Sequence, residues 1–241
     1  NPNPRLPVLP GGDYITGGDG LADCDAHGTI VASLIAAAPQ GSPMPPRMPA
    51  VPASSPAAQA TPTPNGHLNE QQAHAPLHVA PKDQVVGVAP HATIISIRQS
   101  SRAYEPEIRG SGDNEAHKKA GTVSTLARAI VHAANLGAKV INVSVAACIS
   151  AAEALDQRSL GAAVWYAATV RDAVIVAAAG NEGEDGCVQN PMPSPGISDD
   201  PRGWGQLKTV SSPSWFADYV LSVGAVDSGG APIGRSLAGP W

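Results

Sequence analysis

Three short apolar runs constrain this chain more than anything else in it. They are Lys139-Val140-Ile141-Asn142-Val143-Ser144-Val145, Ala173-Val174-Ile175-Val176-Ala177-Ala178-Ala179 and Tyr219-Val220-Leu221-Ser222-Val223-Gly224-Ala225-Val226. A strand with one wet face alternates apolar and polar residues; near-continuous runs like these belong to parallel strands buried from both sides. Segments of helical spacing lie between them. Val123, Leu126, Ala127, Ile130, Val131 and Ala134 mark an amphipathic helix, and Gly137 stands where a left-handed residue would stop it. Residues 151–172 read as a second helix, irregular at Gly161. Ile30, Val31, Leu34 and Ile35 mark a third, which begins at His27, ends near Pro39 and is expected to be buried. Residues 92–98 read as one more strand. Strands alternating with helices predict an α/β fold, its sheet mostly parallel and covered by helices on both faces. Aromatics make up only 4% of the chain, so the core must be built from Ala, Val, Ile and Leu.

The remaining segments read as connections. Residues 1–20 are rich in Pro and Gly and are expected to be surface loop, as is the polar stretch 100–119. Residues 39–84 differ in kind. Eleven of the 24 prolines fall between Pro39 and Pro81, and Arg47 is the only charge between Gln40 and Asn69. Such a composition buries too little apolar surface to order itself, so 39–84 is expected to be a flexible Pro/Ala-rich insertion.

Charge and cysteine usage narrow the function classes. With 15 basic and 20 acidic residues the net charge is −5, and no basic run is interleaved with aromatics, which argues against a nucleic-acid partner. No apolar stretch reaches the roughly 18–20 residues that span a membrane. The three cysteines, Cys24, Cys148 and Cys187, form no C-x-x-C pair and no Cys/His cluster of zinc spacing. No metal site and no cofactor are expected. An odd count fits one internal disulfide plus a further cysteine, or three thiols.

Two stretches carry chemistry. Asp23-Cys24-Asp25-Ala26-His27-Gly28-Thr29 places a histidine at the start of an apolar helix, with glycine leaving room for a substrate backbone beside the ring. Val176-Ala177-Ala178-Ala179-Gly180-Asn181 ends a strand at glycine and then presents a side-chain amide. Ligands of parallel α/β sheets sit at the carboxyl ends of strands, where Asn181 falls. A histidine base and a neutral, rigidly held amide are two of the parts that acyl transfer through serine requires. Small residues at Ser144, Val145 and Ala146, and at Ala178, Ala179 and Gly180, form two candidate walls of a substrate pocket. Ser144 is not assigned as a nucleophile, because no Gly-x-Ser-x-Gly elbow surrounds it. None of Asp13, Asp19, Asp23 and Asp25 is assigned as the partner of His27. His67, His74, His78, His91, His117 and His132 are read as structural or solvated.

Five motifs in order then resemble the subtilisin-like serine proteases: His27-Gly28-Thr29 with Val31-Ala32, Gly87-Val88-Ala89-Pro90, Val140 to Ser144, Ala178-Ala179-Gly180-Asn181, and Val223-Gly224-Ala225-Val226. The Asp-Cys-Asp-x-His-Gly-Thr form and the lead-in from Pro4-Arg5-Leu6-Pro7 to Gly11-Gly12-Asp13-Tyr14 are similar to the mycosins, mycobacterial proteases of type VII secretion systems. The resemblance implies a three-layer subtilisin-like fold, incomplete in this chain, with residues 1–241 as a partial peptidase domain. It implies a serine endopeptidase that cleaves protein substrates through an acyl-enzyme, with His27 as general base and Asn181 as oxyanion donor. The alternative it leaves is a non-catalytic component that stabilises a secretion membrane complex. It implies a Cys148–Cys187 disulfide, with Cys24 paired upstream of Asn1. The catalytic aspartate motif, Asp-Thr/Ser-Gly, and serine motif, Gly-Thr-Ser-x-Ala-x-Pro, are expected outside these residues, so the chain alone is expected to be inactive. The parent is expected to be extracytoplasmic, anchored to the membrane through a segment absent here and partnered with type VII secretion components.

Overall fold

The computed structural model describes residues 5–39, 85–101, 103, 114–153, 155–192, 200 and 202–241, with the backbone alone over 114–121. The chain falls into two compact units, Asn1–Leu9 with Ala26–Ile94, and Pro10–Asp25 with Ile95–Trp241. The Pro/Ala-rich insertion lies almost wholly outside the described residues.

In the first unit, helix α1 (His27–Ala36) follows Ala26, which takes a left-handed φ of 60°. Ala26, at the N-cap, makes no side-chain capping hydrogen bond. The other end is closed by backbone. A helix leaves its last carbonyls without partners. Here Val88 N–H donates to the Leu34 carbonyl at 3.0 Å, Ala89 N–H to Ile35 at 2.7 Å and Gly87 N–H to Ala37 at 2.8 Å. A Cβ on Gly87 would stand 2.5 Å from the Ala36 and Ala37 nitrogens, so only glycine allows this approach. The Gly-Val-Ala-Pro motif is thus the C-terminal cap of α1. Arg5 adds a hydrogen bond from Nε to the Ala38 carbonyl at 2.8 Å. The expected burial of α1 is not found. Ala36 is the buried residue of the helix; Ile30 and Leu34 are 58% and 66% exposed. An apolar stripe is buried only by what lies against it, and among the described residues nothing covers these two.

The second unit holds the core. Strand β1 (Val8–Asp13), which begins in the first unit, pairs with β2 (Ile94–Arg98). Three parallel strands follow in the order β3 (Val140–Val143), β5 (Val174–Ala178) and β7 (Val220–Val223), with Val143 opposite Ala177 and Ala178 opposite Val223. An antiparallel ribbon joins β4 (Ala147–Ser150) to β6 (Thr209–Ser212). Helices α2 (Asn114–Asn135) and α3 (Arg158–Trp165) pack on each other, and α3 continues into a π-helical turn over Tyr166–Val170. Leu126 and Ile130 of α2, Leu160 and Val164 of α3, Ile141 of β3, Ile175 of β5 and Val220 of β7 form one cluster. Ala and Val dominate the rest of it, as the scarcity of aromatics requires. The opposite side of the sheet is open: Val140, Val174, Leu221 and Val223 are 51–63% exposed. Among the described residues of this unit, the α/β fold therefore shows two of its three layers.

Several boundaries differ from the sequence reading. β1 lies within residues 1–20, expected as loop, because its pairing with β2 supplies what local propensity does not. β4 and β6 were not expected: four residues each, and rich in Ser, they are strands only by pairing with each other. α2 begins at Asn114, inside the expected loop, and α3 begins at Arg158 rather than near 151. Gly137 has the expected positive φ, 84°.

Candidate active site

Asn181 stands at the carboxyl end of β5, the middle strand of the parallel sheet. The chain turns there through Gly180, whose φ of 106° favours glycine. A Cβ at Gly180 would meet Leu237 at 3.3 Å, the Ser211 hydroxyl at 3.5 Å and Cys148 Sγ at 3.6 Å. The loop leaving β5 is therefore held close over a buried layer. Part of that layer is the disulfide Cys148–Cys187, with Cα atoms 5.1 Å apart, clustered with Leu237. It ties β4 to the loop that carries Asn181. The expected pairing of Cys148 with Cys187 is present in the structure, although Cys148 lies within a strand rather than in a loop.

Hydrogen bonds brace the same loop from its other side. Residues 231–237 return beside it: Leu237 N–H donates to Gly180 O at 2.9 Å and Glu182 N–H to Arg235 O at 2.8 Å. Asn181 and Ser236 form an antiparallel bridge. Two residues not singled out from sequence pin the returning segment. Gln189 donates from Nε2 to the carbonyls of Gly234 (3.1 Å) and Ser236 (3.0 Å). Buried Asn190 donates to Thr209 O and Ala238 O and accepts from Lys208 N–H and Thr209 N–H, so all its polar capacity is met. Their signal in the sequence was nil, since each acts on backbone far along the chain.

The two expected pocket walls are brought together. Val143 faces Ala177 in the register, so Ser144, Val145 and Ala146 leave β3 beside Ala178, Ala179 and Gly180 leaving β5. All three wall residues after β3 are half-buried. The Ser144 hydroxyl accepts a hydrogen bond from Asn142 Nδ2 at 2.8 Å. Ser214 Oγ, itself buried, donates to Ala178 O at 3.1 Å and fixes the second wall from beneath.

His27 is exposed at the first position of α1 in the first unit. The aspartates that precede it in the sequence have other work. Asp13, its side chain 2% exposed, forms a buried ion pair with Arg98, which also donates to Thr16 Oγ1 at 2.8 Å and to the Ala22 carbonyl at 3.2 Å. The Arg98 guanidinium holds the Asp13 carboxyl well below the usual carboxylate range against the opposing effect of burial. Asp19 Oδ1 accepts from Leu21 N–H at 2.9 Å, and Asp25 from the Ser101 hydroxyl at 3.1 Å. One tripeptide escaped the sequence reading: Asp227-Ser228-Gly229 matches Asp-Ser-Gly. Its carboxylate accepts from Gly229 N–H (2.8 Å) and Ala231 N–H (2.9 Å), which makes it the cap of an exposed turn. His132 is structural, its Nε2 2.8 Å from the Gly11 carbonyl oxygen. His117 falls within α2 rather than in a loop, while His67, His74 and His78 lie outside the described residues. Among the described residues, no group of three or more His, Cys, Asp or Glu is placed to hold a metal ion. No helix among them is long and apolar enough to cross a membrane.

Comparison with known proteins places this geometry. The subtilase family model matches residues 10–240. The chain is 55% identical to Mycosin-2 of Mycobacterium tuberculosis, covering 100% of the chain and 52% of that protein. It is 41% identical to Mycosin-5 of the same organism, covering 100% of the chain and 54% of that protein. Among solved structures it superposes on the MycP3 protease from the type VII (ESX-3) secretion system with a TM-score of 0.77 at 45% identity, covering 100% of this chain and 54% of that one. A chain of an intact ESX-5 inner membrane complex gives 0.79 at 49% identity, covering 100% and 50%. The chain thus spans about half the length of the relatives it matches. It belongs to the subtilase family, and within that family it is similar to the mycosins.

Proposed function

We propose that the protein containing this chain is a serine endopeptidase of the subtilisin type, mycosin-like, that cleaves protein substrates through an acyl-enzyme. The observation that carries this reading is Asn181, held at the carboxyl end of the middle parallel strand and flanked by two walls of small residues in a subtilase chain. An extended substrate lies along Ser144–Ala146 on one side and Ala178–Gly180 on the other. His27 takes the proton of the attacking serine and returns it to the leaving amine. Asn181 donates to the oxyanion as the carbonyl becomes tetrahedral, and a neutral donor fixed by backbone needs no reorganisation to do so. The carboxylate that orients His27 and the serine itself are not assigned to any residue of this chain.

Association with a type VII secretion membrane complex in an extracytoplasmic, membrane-bound setting is part of the proposal. It is supported by the likeness to a chain of an intact ESX-5 inner membrane complex and by the disulfide, a bond that persists in oxidising compartments. That likeness also supports the second reading, a component that stabilises the complex without catalysis. Turnover of fluorescein-labelled casein by the intact protein separates the two. Asn181→Ala is expected to lower kcat by about 10²–10³, the usual loss for one oxyanion donor, with KM little changed. Absence of turnover in the unsubstituted protein would favour the structural reading. The 241 residues by themselves are expected to leave casein intact, since no serine in them is assigned as nucleophile.

A further inference from the structure

The Asn181 amide does not stand alone. Its Nδ2 donates to Glu184 Oε2 at 3.3 Å, and the other carboxylate oxygen, Oε1, lies 3.2 Å from Arg235 Nη2. All three residues sit on backbone that is already fixed. Glu184 N–H donates to Asn181 O at 3.2 Å, and Cys187 N–H donates to Glu184 O at 2.8 Å, beside the disulfide. Arg235 receives Glu182 N–H on its own carbonyl, within the segment that Gln189 holds. The Glu184 and Arg235 side chains are exposed, and what sets this relay apart is the braced backbone that carries all three residues.

We infer that Glu184 is a positioning residue that orients the Asn181 amide, and that Arg235 neutralises it. The inference rests on the reading of Asn181 as the oxyanion donor. An asparagine amide has two N–H donors on one atom and only lone pairs on the other. Rotated by half a turn, it would present an oxygen to the oxyanion and repel it. An ionised carboxylate only accepts, so Glu184 favours the rotamer that faces it with Nδ2. One N–H is then occupied and the second is left for the substrate. The cost of this device is a negative charge three residues from a site where negative charge develops. Arg235 offsets that charge, and its pairing draws the carboxylate toward the returning segment. The sequence offered only the spacing Asn-x-x-Glu as a hint; Arg235, 51 residues further along, joins through the fold alone.

Steady-state kinetics of the intact protein on fluorescein-casein tests this. Glu184→Ala is expected to lower kcat about 5–10-fold, on the scale of one hydrogen bond, with KM unchanged within about twofold. Glu184→Gln, whose amide oxygen still accepts from Nδ2, is expected to recover most of the rate. Arg235→Met, which removes this cation from beside the carboxylate, is expected to lower kcat with KM unchanged within about twofold. In the double variant Asn181→Ala/Glu184→Ala, kcat should equal that of Asn181→Ala alone, because Glu184 acts only through the amide. Unchanged kcat in Glu184→Ala, beside a slow Asn181→Ala, would overturn the positioning role and leave the catalytic reading standing. Additive losses in the double variant would also overturn it. Unchanged kcat in Asn181→Ala would remove the oxyanion assignment and this inference with it.

Discussion

The two elements that carry the candidate catalytic side chains are built to opposite specifications. Asn181 follows a strand locked between two parallel neighbours, over a disulfide and under a returning segment tied by backbone hydrogen bonds. His27 begins a helix of which Ala36 is the buried residue and whose Ile30 and Leu34 are more than half exposed. The Asn181 loop is secured within its own unit; His27 rides on a helix secured mainly at its C-terminal end, through residues 87–89. The contrast suits the proposed roles. Oxyanion stabilisation depends on dipoles that do not move during reaction, which calls for rigidity at Asn181. A general base is judged by reach and protonation, which a helix start supplies without a deep core.

The largest effect that could break this contrast is on chemistry. In the intact protein His27→Ala is expected to cost about 10⁴-fold or more in kcat while leaving the unfolding midpoint in place, because the ring is exposed. A variant that loses its fold instead would show that His27 is structural. Next in size is the buried pair in the second unit. Asp13→Asn removes the carboxylate of this buried pair and should cost about 3–5 kcal/mol at neutral pH. The folded-state pKa of Asp13 is depressed, so its stabilisation is whole above the ordinary carboxylate value of 3.8 and is lost as pH falls below it toward the folded-state value. Denaturant melts should therefore show the wild type weakening below about pH 4 and the variant losing less over that range. Equal slopes would remove Asp13 from that role.

Removing the disulfide with Cys148→Ala and Cys187→Ala should cost about 4 kcal/mol, since the bond closes a separation of 39 residues. If the donor loop is as braced as its hydrogen bonds indicate, kcat at low temperature should survive this change. A kcat loss equal to that of Asn181→Ala would mean that the disulfide alone holds the loop. A pair of substitutions in the two helices sharpens the contrast directly. Leu160→Ala, at a fully buried position of α3, should cost about 2–5 kcal/mol. Leu34→Ala in the 241-residue chain should change stability by no more than about 0.5 kcal/mol. A larger loss there would contradict the exposure of α1; the same substitution made in the intact protein reports whether further chain covers that face.

Much of this was legible in the residues. Continuous apolar runs marked β3, β5 and β7, although one face of their sheet is open among the described residues, so the pattern gave the strands and not what covers them. Helical spacing marked α1 and the C-terminal half of α2, and Gly137 its stop. The edge elements were not legible. β1, β4 and β6 are short and rich in Gly, Pro or Ser, and each is a strand only because a partner lies beside it. Nor did hydrophobic spacing in Ile30 and Leu34 say whether anything would cover them.

Chemistry divides along the same line. The sequence by itself determined which side chains are candidates, His27 and Asn181, and that the second ends a strand, since residue type and strand termination are local properties. Only the tertiary structure decided that Ser144–Ala146 and Ala178–Gly180 leave adjacent strands together, that Cys148 and Cys187 bond beneath Gly180, and that Glu184 and Arg235 meet at the Asn181 amide. The disulfide joins residues 39 positions apart and the Glu184–Arg235 contact residues 51 apart. No local pattern encodes such a pairing, because its energy exists only once the chain has folded back on itself.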